Sequence, residues 1–350
     1  MVLATASATY GPRLVRNFMT DRRNQFVLGI FGATFLYSLM VLRTIRSVDA
    51  PGGGFVPELS INLAVLFAIV DVAVLVYFIH HIADSIQVAT LANRVRNELV
   101  AVVDRMRPAD TPAHFIDDPE APAGSPGMVK AKATGFVQHI RRQDLVALAK
   151  HHDAVVELLV MPGSHLIPGE PVARIWPADT AETIAGKLRG HIVLGDDRTP
   201  EQDVGYAVQQ LTEMAVRALS PSMNDPFTAR NALQEIAAGM VPFCERPVSG
   251  RGRTDSDGEL RLLLPQLTPV TVIDSVFNSM RTYALAHPSV LLSSLDLAAR
   301  IGQRATNAEV SKALQAQIEQ LMSAYAATDP PPYDLQRVMH HAAETRAHIP

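Results

Sequence analysis

Residues 59–79 read LSINLAVLFAIVDVAVLVYFI, an apolar run broken by a single charge, Asp71. A helix rises about 1.5 Å per residue, so roughly 20 apolar residues cross a hydrocarbon core of about 30 Å. This run meets that length. A shorter run precedes it: residues 26–42, FVLGIFGATFLYSLMVL, carry no charge. It reaches spanning length when carried on to residue 45, with Arg43 snorkelling toward the headgroups. Two transmembrane helices, 26–45 and 59–79, are therefore expected.

Basic residues set the orientation. Arg13, Arg16, Arg22 and Arg23 lie ahead of the first run, and Arg94, Arg96, Arg105 and Arg107 follow the second. The intervening stretch, 46–58, has Arg46 only at its start and then Pro51 with three glycines. The positive-inside rule makes 46–58 an external loop and puts residues 1–25 and the C-terminal region in the cytoplasm. The first run starts late, lacks a small-residue cleavage site and is soon followed by another, so it does not read as a cleavable signal peptide. Two buried helices of a soluble protein are the competing reading, and the lengths and flanks fit it less well.

The 350 residues are 48% hydrophobic with net charge −4, a near-balance that gives no bulk signal for nucleic acid. One cysteine, Cys244, excludes an internal disulfide and a thiolate-rich zinc cage, and fits a reducing compartment.

Beyond the second span, Ile82, Ile86, Leu91, Val95, Leu99, Val102 and Met106 recur at helical spacing with charges between them. This predicts an amphipathic stalk helix over 80–107, stopped by Pro108, and a Pro/Ala/Asp/Gly linker over 108–127. A small α+β module follows at 128–197. It has strands near 135–140, 155–161, 172–176 and 191–194, helices near 143–152 and 179–189, and turns at Pro162-Gly163 and Pro168-Gly169. From 198 to 350 the pattern is a helical domain. Thr199, Pro200 and Gln202 fit a helix start, and Val204, Val208, Leu211, Ala215 and Leu219 line one face. Asp225 and Pro226 start the next helix, with Gly239 as its C-cap, and a polar loop covers 247–258. Further helices fall at about 270–287, 289–304, 307–327 and 333–347. The fold class expected is a mainly α membrane protein: two transmembrane helices, helical stalk, small α+β module and helical cytoplasmic domain.

The stretch 198–236, RTPEQDVGYAVQQLTEMAVRALSPSMNDPFTARNALQEI, resembles the signature of the uncharacterised bacterial membrane-protein family filed as domain of unknown function 2254. The pattern R-[ST]-x-x-Q-D, an amphipathic helix and R-A-L-S-P-x-x-N-D-P-x-T-A fall on Arg198, Gln202, Asp203, Arg217 to Pro221, Asn224 to Pro226, Thr228 and Ala229. Gly135 to Gln138, the Pro162-Gly163 and Pro168-Gly169 turns, and Gly11-Pro12-Arg13, Asp21, Gln25 and Leu28-Gly29 also look like family features. The resemblance implies a bacterial cytoplasmic (inner) membrane location. Family members generally carry further hydrophobic segments ahead of the point where this chain begins, so it also implies an N-terminally short membrane domain. It brings no reaction with it.

The leading candidate ligand site is the loop 220–225 with its flanks: Arg198, Gln202, Asp203, Arg217, Ser220, Asn224 and Asp225. The helix after the loop offers free amides and the positive end of its dipole to a small anion. The structural alternative is a cap and an interhelical turn, which the charge of Asp225 favours. Asp71, an intramembrane polar residue, is either part of an ion path or an interhelical hydrogen bond within an oligomer. The pairs His80-His81, His151-His152 and His340-His341 lack metal-ligand spacing, so no metal is expected. Residues 155–175 resemble half of a biotinyl/lipoyl-type sandwich, but no lysine lies between Lys150 and Lys187 to carry a group. Nucleophile-elbow, Walker A and dinucleotide motifs are missing, and no cofactor is expected.

The function expected is a non-enzymatic, membrane-tethered sensing, scaffold or regulatory module. Its partners are the lipid bilayer, further copies of itself and a small anionic ligand, without nucleic acid. The alternatives are a channel or transporter component using Asp71, and a membrane-face enzyme around Arg198, Asp203 and Asn224.

Overall fold

The computed structural model describes residues 22–45, 56–85, 88–106, 115–117, 119–246 and 250–350. The N-terminal segment 1–21 and most of the expected external loop lie outside them. The described residues form a mainly helical protein of eleven helices with two small sheets. The chain divides into two compact units, residues 1–91 and 92–350.

In the first unit, α1 (Arg22–Thr44) and α2 (Glu58–Ser85) are the two apolar helices. Both are long and apolar enough to cross a membrane, with mean hydropathy 1.8 for Arg22–Thr44 and 2.5 for Glu58–His81. They pack as an antiparallel pair. Thr34 Oγ1 donates to Asp71 Oδ1 at 3.4 Å, Tyr37 Oη donates to the Ser60 carbonyl at 3.2 Å, and the Tyr37 and Phe67 rings meet edge to face at 5.3 Å. Phe35, Leu36, Met40, Leu59, Ile69 and Val72 remain exposed on their outer faces. Such surface suits lipid rather than water.

The expected stalk falls on α2 and α3 (Val88–Met106), with Ile86 and Gln87 outside the described residues. The apolar stripe read from the sequence is the one that α3 buries: Val95, Leu99 and Val102 are almost fully covered. In the second unit this stretch is docked rather than free. Arg96 pairs with Glu235 at 3.3 Å and Asp104 with Arg246 at 2.7 Å.

Two sheets organise the mixed region. Strands β1 (Phe115–Ile116), β2 (Gly127–Lys130), β4 (Val155–Leu158), β6 (Pro171–Trp176), β8 (Gly252–Thr254) and β9 (Leu260–Leu263) form one sheet in the order β1-β8-β9-β4-β6-β2. The pair β4–β9 is parallel and the others antiparallel. Strands β3 (Gly135–Ile140), β5 (His165–Leu166) and β7 (Ile192–Gly195) form the second, in the order β5-β3-β7. Helices α4 (Arg142–His151) and α5 (Thr180–Gly190) cover them, and Leu145, Val156, Leu158, Ile175, Ile184 and Leu188 fill the core between. Two expectations are corrected here. Residues 247–258 are not wholly loop, because β8 lies in them, and β9 pairs with β4 across the expected boundary at 197. Leu262, opposite Val156 of β4, joins the core between sheet and helices, while Leu263, opposite Glu157, is buried on the other face.

The helical part comprises α6 (Val204–Ala218), α7 (Pro226–Glu245), α8 (Pro269–Tyr283), α9 (Pro288–Gly302), α10 (Ala308–Ala326) and α11 (Pro332–Ala347). Helix α7 packs against α6 and α9, α8 against α10, and α9 against α11. Asp225 caps α7 as its sequence implied, accepting from the Thr228 amide at 3.1 Å, with Pro226 at the first turn. Two helix bounds differ from expectation. Helix α6 starts at Val204 under an Asp203 cap, not at Pro200 under Thr199. Helix α7 runs through Gly239 to Glu245, so Gly239 is not its C-cap. A Cβ at Gly239 would come within 2.3 Å of Leu99 Cγ, so the glycine is there to let α3 approach.

Candidate functional site

The Arg198–Asp203 segment is built as a brace. Gln202 closes on the free backbone of β3: its Oε1 accepts from the Ile140 amide at 3.0 Å and its Nε2 donates to the Ile140 carbonyl at 3.3 Å. Gln138 on β3 answers by donating to the Asp197 carbonyl at 2.7 Å. With the chain fixed there, Asp203 turns inward. Its Oδ1 accepts from the Tyr206 amide at 2.8 Å, and its Oδ2 accepts from Arg198 Nε at 2.9 Å and Nη2 at 2.7 Å. Arg198 also donates to Gln209 Oε1 at 2.7 Å and lies over the Tyr206 ring at 5.0 Å. Burial pushes the Asp203 carboxyl up, against the opposing pull of Arg198 and the Tyr206 amide.

Gly163 lies on this ion pair. Its φ of +92° belongs to the left-handed region, and a Cβ there would stand 2.2 Å from Asp203 Oδ2. The Pro162-Gly163 turn is thus needed for conformation and for contact at once.

Around this brace opens a cavity of about 340 Å³. Its wall takes Met161 to Ser164 from the turn, Arg198 and Gln202 to Gly205 from the start of α6, and Leu264 to Leu267 from the segment after β9. Met106 ends α3, Phe243 comes from α7, Arg142 opens α4 and Arg253 lies on β8. The wall combines apolar side chains with three arginines and one aspartate.

Arg142 and Arg253 differ from Arg198 in having no carboxylate partner among the described residues. Arg142 Nε is buried without a hydrogen-bond partner among the described residues, and one Nη donates only to Met106 Sδ at 3.3 Å. Arg253 Nη1 donates to the Gly250 and Gly252 carbonyls at 2.5 and 2.9 Å, and its guanidinium stacks 3.6 Å from the Phe115 ring. Burial lowers the pKa of Arg142. Burial, then the charge of Arg142, lowers that of Arg253 to about 10.

The sequence-derived residues divide between the two ends of α6. Arg198, Gln202 and Asp203 line the cavity; Arg217, Ser220, Asn224 and Asp225 do not. Fifteen residues of helix separate the groups, about 22 Å. The far end is a turn held by its own bonds. The Asn224 amide donates to the Ser220 carbonyl, the Asp225 amide to the Ala218 carbonyl, and Thr228 Oγ1 to Asp225 Oδ2 at 2.6 Å. Asn224 takes a left-handed φ of +45°, which asparagine tolerates well. Ser220 and Ser222 hydroxyls lie 3.2 Å apart, and Arg217 is in the last turn of α6. The Thr228 bonds hold the Asp225 carboxyl below its ordinary value. Among the histidine pairs, His341 meets Asp296 of α9 at 2.7 Å, a carboxylate partner that sequence spacing did not reveal.

Arg142 and Arg253 are site residues that the sequence motifs do not mark, and Met106 reads there only as part of the stalk's apolar stripe. One signal was present: Arg141-Arg142 opens a helix directly after a strand, where the dipole disfavours cations.

Comparison with known proteins gives a family and no activity. A family model described as "Predicted membrane protein (DUF2254)" matches residues 1–300. An uncharacterized protein of Mycobacterium bovis and one of Mycobacterium tuberculosis are each 30% identical over 322 residues, 90% of this chain. The chain spans 62% of the length of these relatives. No solved structure matches.

Proposed function

This chain belongs to the DUF2254 family of predicted membrane proteins, and we propose that within it the protein is a membrane-tethered sensing or regulatory module that binds a small ligand without transforming it. The observation that carries this reading is the cavity of about 340 Å³ with Met106, the last residue of α3, in its wall. Helix α3 begins three residues after α2 ends at Ser85. An occupant touching Met106 bears on the helix that leads back to the spans.

The wall chemistry supports binding over catalysis. The lining carboxylate, Asp203, is committed to Arg198 and the α6 cap, and Ser164 Oγ accepts from the Met161 amide at 3.1 Å. A membrane-face enzyme around Arg198, Asp203 and Asn224 draws little support, since α6 keeps Asn224 from the other two. A channel using Asp71 draws little either, because the contact its carboxylate makes among the described residues is an interhelical one, Thr34 Oγ1 at 3.4 Å. The proposed setting is the bacterial cytoplasmic membrane, with both termini cytoplasmic. The exposed apolar faces of α1 and α2 support contact with lipid and with further copies.

The test is a thermal-shift screen of the reconstituted chain against anions, nucleotides, metals and lipids, repeated with Leu267→Trp to fill the cavity. A ligand bound only by the native state raises the melting temperature. A hit lost in the filled variant, with slowed amide exchange at the end of α3, is expected. Hits that persist in the filled variant, or a screen with none, would overturn the reading.

A further inference from the structure

Building on the ligand-binding reading above, we propose that the cavity's occupant is a phosphate monoester, its phosphoryl group held between Arg142 and Arg253 and its apolar body laid against Met106, Phe243, Leu264 and Leu267.

Among the described residues the fold leaves two cavity charges unbalanced. Arg198 has Asp203, while Arg174 and Arg251 share Glu157. Arg142 and Arg253 form no ion pair among the described residues, and the groups they touch are a thioether, two carbonyls and a ring. A half-buried guanidinium without a counter-charge is unfavourable, and more so with a second beside the same cavity. Burial, then the charge of Arg142, depresses the Arg253 pKa. Arg142 Nε is covered by protein and has no hydrogen-bond partner among the described residues, while the Arg142 side chain lines the cavity. An anion in the cavity would lie beside a charge that no carboxylate among the described residues balances.

Charge and size select the class of anion. Two guanidiniums balance a phosphate monoester, which carries about −1.5 to −2 at neutral pH. A carboxylate supplies only about half of that. The planar donor fork of arginine suits phosphoryl oxygens. Ligand sites run from about 300 to 1,000 Å³, so this cavity holds a small molecule or a lipid headgroup and not a macromolecule. The apolar side chains in the same wall call for more than inorganic phosphate.

The experiment is calorimetric titration of the full chain in phosphatidylcholine nanodiscs with phenyl phosphate, benzoate and phenol. Phenyl phosphate is expected to bind, and Arg142→Gln and Arg253→Gln are each expected to weaken it about 10- to 100-fold, the worth of charged hydrogen bonds. Without phosphate, Arg142→Gln is expected to melt at or above the wild-type temperature, because it removes an unpaired charge. A lowered melting temperature would make Arg142 a structural brace and overturn its role. Benzoate or phenol binding as tightly as phenyl phosphate would overturn the phosphate assignment while the cavity reading stands. Failure of phenyl phosphate to bind the wild type, or binding indifferent to both variants, would overturn the proposal, and the broader screen then decides the cavity reading separately. Once binding is seen, phosphatidic acid added to the discs identifies a lipid source if it competes and a soluble ester if it does not.

Discussion

Replacing Asp203 by alanine tests the brace on which the cavity rests. The Asp203 side chain is 4% exposed and Arg198 25%. Removing one partner of a buried pair costs about 3–5 kcal/mol, because the other charge is left buried. Arg198 keeps part of its hydration and a bond to Gln209, so the lower end of that range, about 3 kcal/mol, applies. The lost cap on α6 adds about 1 kcal/mol. The two terms share one carboxylate and do not add fully, so the expectation is about 3–4 kcal/mol. Asp203→Asn keeps an oxygen for the Tyr206 amide but turns an NH2 toward the Arg198 donors and leaves that charge unpaired, so it spares only the cap and is expected to cost about 3 kcal/mol. Urea unfolding followed by tryptophan fluorescence measures both. Trp176 is the single tryptophan of the chain, and its Nε1 donates to the Gly124 carbonyl at 3.0 Å, so it reports on the sheet. An Asp203→Ala protein within about 0.5 kcal/mol of wild type, the range of ordinary surface changes, would mean that the Arg198–Asp203 pair braces nothing.

Three further outcomes follow from the same geometry. Gly163→Ala forces a side chain into a left-handed position and against Asp203, and is expected to destabilise by about 2–4 kcal/mol in the same assay; a neutral result would mean that the turn can move away. Asp225→Ala removes the cap of α7 and is expected to lower stability by about 1 kcal/mol while leaving phenyl phosphate affinity unchanged, a separation that shared loss of binding would contradict. Asp255 accepts from Arg261 Nε and from the Asp257 and Glu259 amides, and Arg261 chiefly holds its pKa down at about 2, below the ordinary 3.8. A depressed carboxylate stabilises above its unfolded pKa, so its contribution is present above pH 3.8 and is lost as pH falls from there toward about 2. The stability gap between wild type and Asp255→Asn should therefore narrow across that window, and an acid titration showing a constant gap would count against the bonds.

The motif that marks the family acquires a physical meaning only in part through its chemistry. Gln202 and Gln138 latch α6 to β3, Asp203 caps and pairs, and Asp225 caps the next helix. These residues shape the cavity's surroundings, while Arg142 and Arg253, which the motif does not contain, give it charge.

Features that depend on neighbours along the chain were legible in the sequence. The two apolar runs follow from length and hydropathy, the buried stripe of α3 from helical spacing, and the α7 start from Asp225-Pro226. Each is local, so a one-dimensional pattern carries it. Tertiary structure decided the rest. Glycine at 239 looks like a stop until Leu99 arrives against it, and Thr199 looks like a cap until β3 claims Gln202 and frees Asp203. Strands β8 and β9 lie about a hundred residues beyond β4 and join its sheet, where Leu262 and Leu264 enter the core with Val156 and Leu158. That same return carries Arg253 into the charge field of Arg142, and no periodicity in either segment specifies the other, because the pairing of distant segments depends on complementary buried surfaces and not on spacing along the chain.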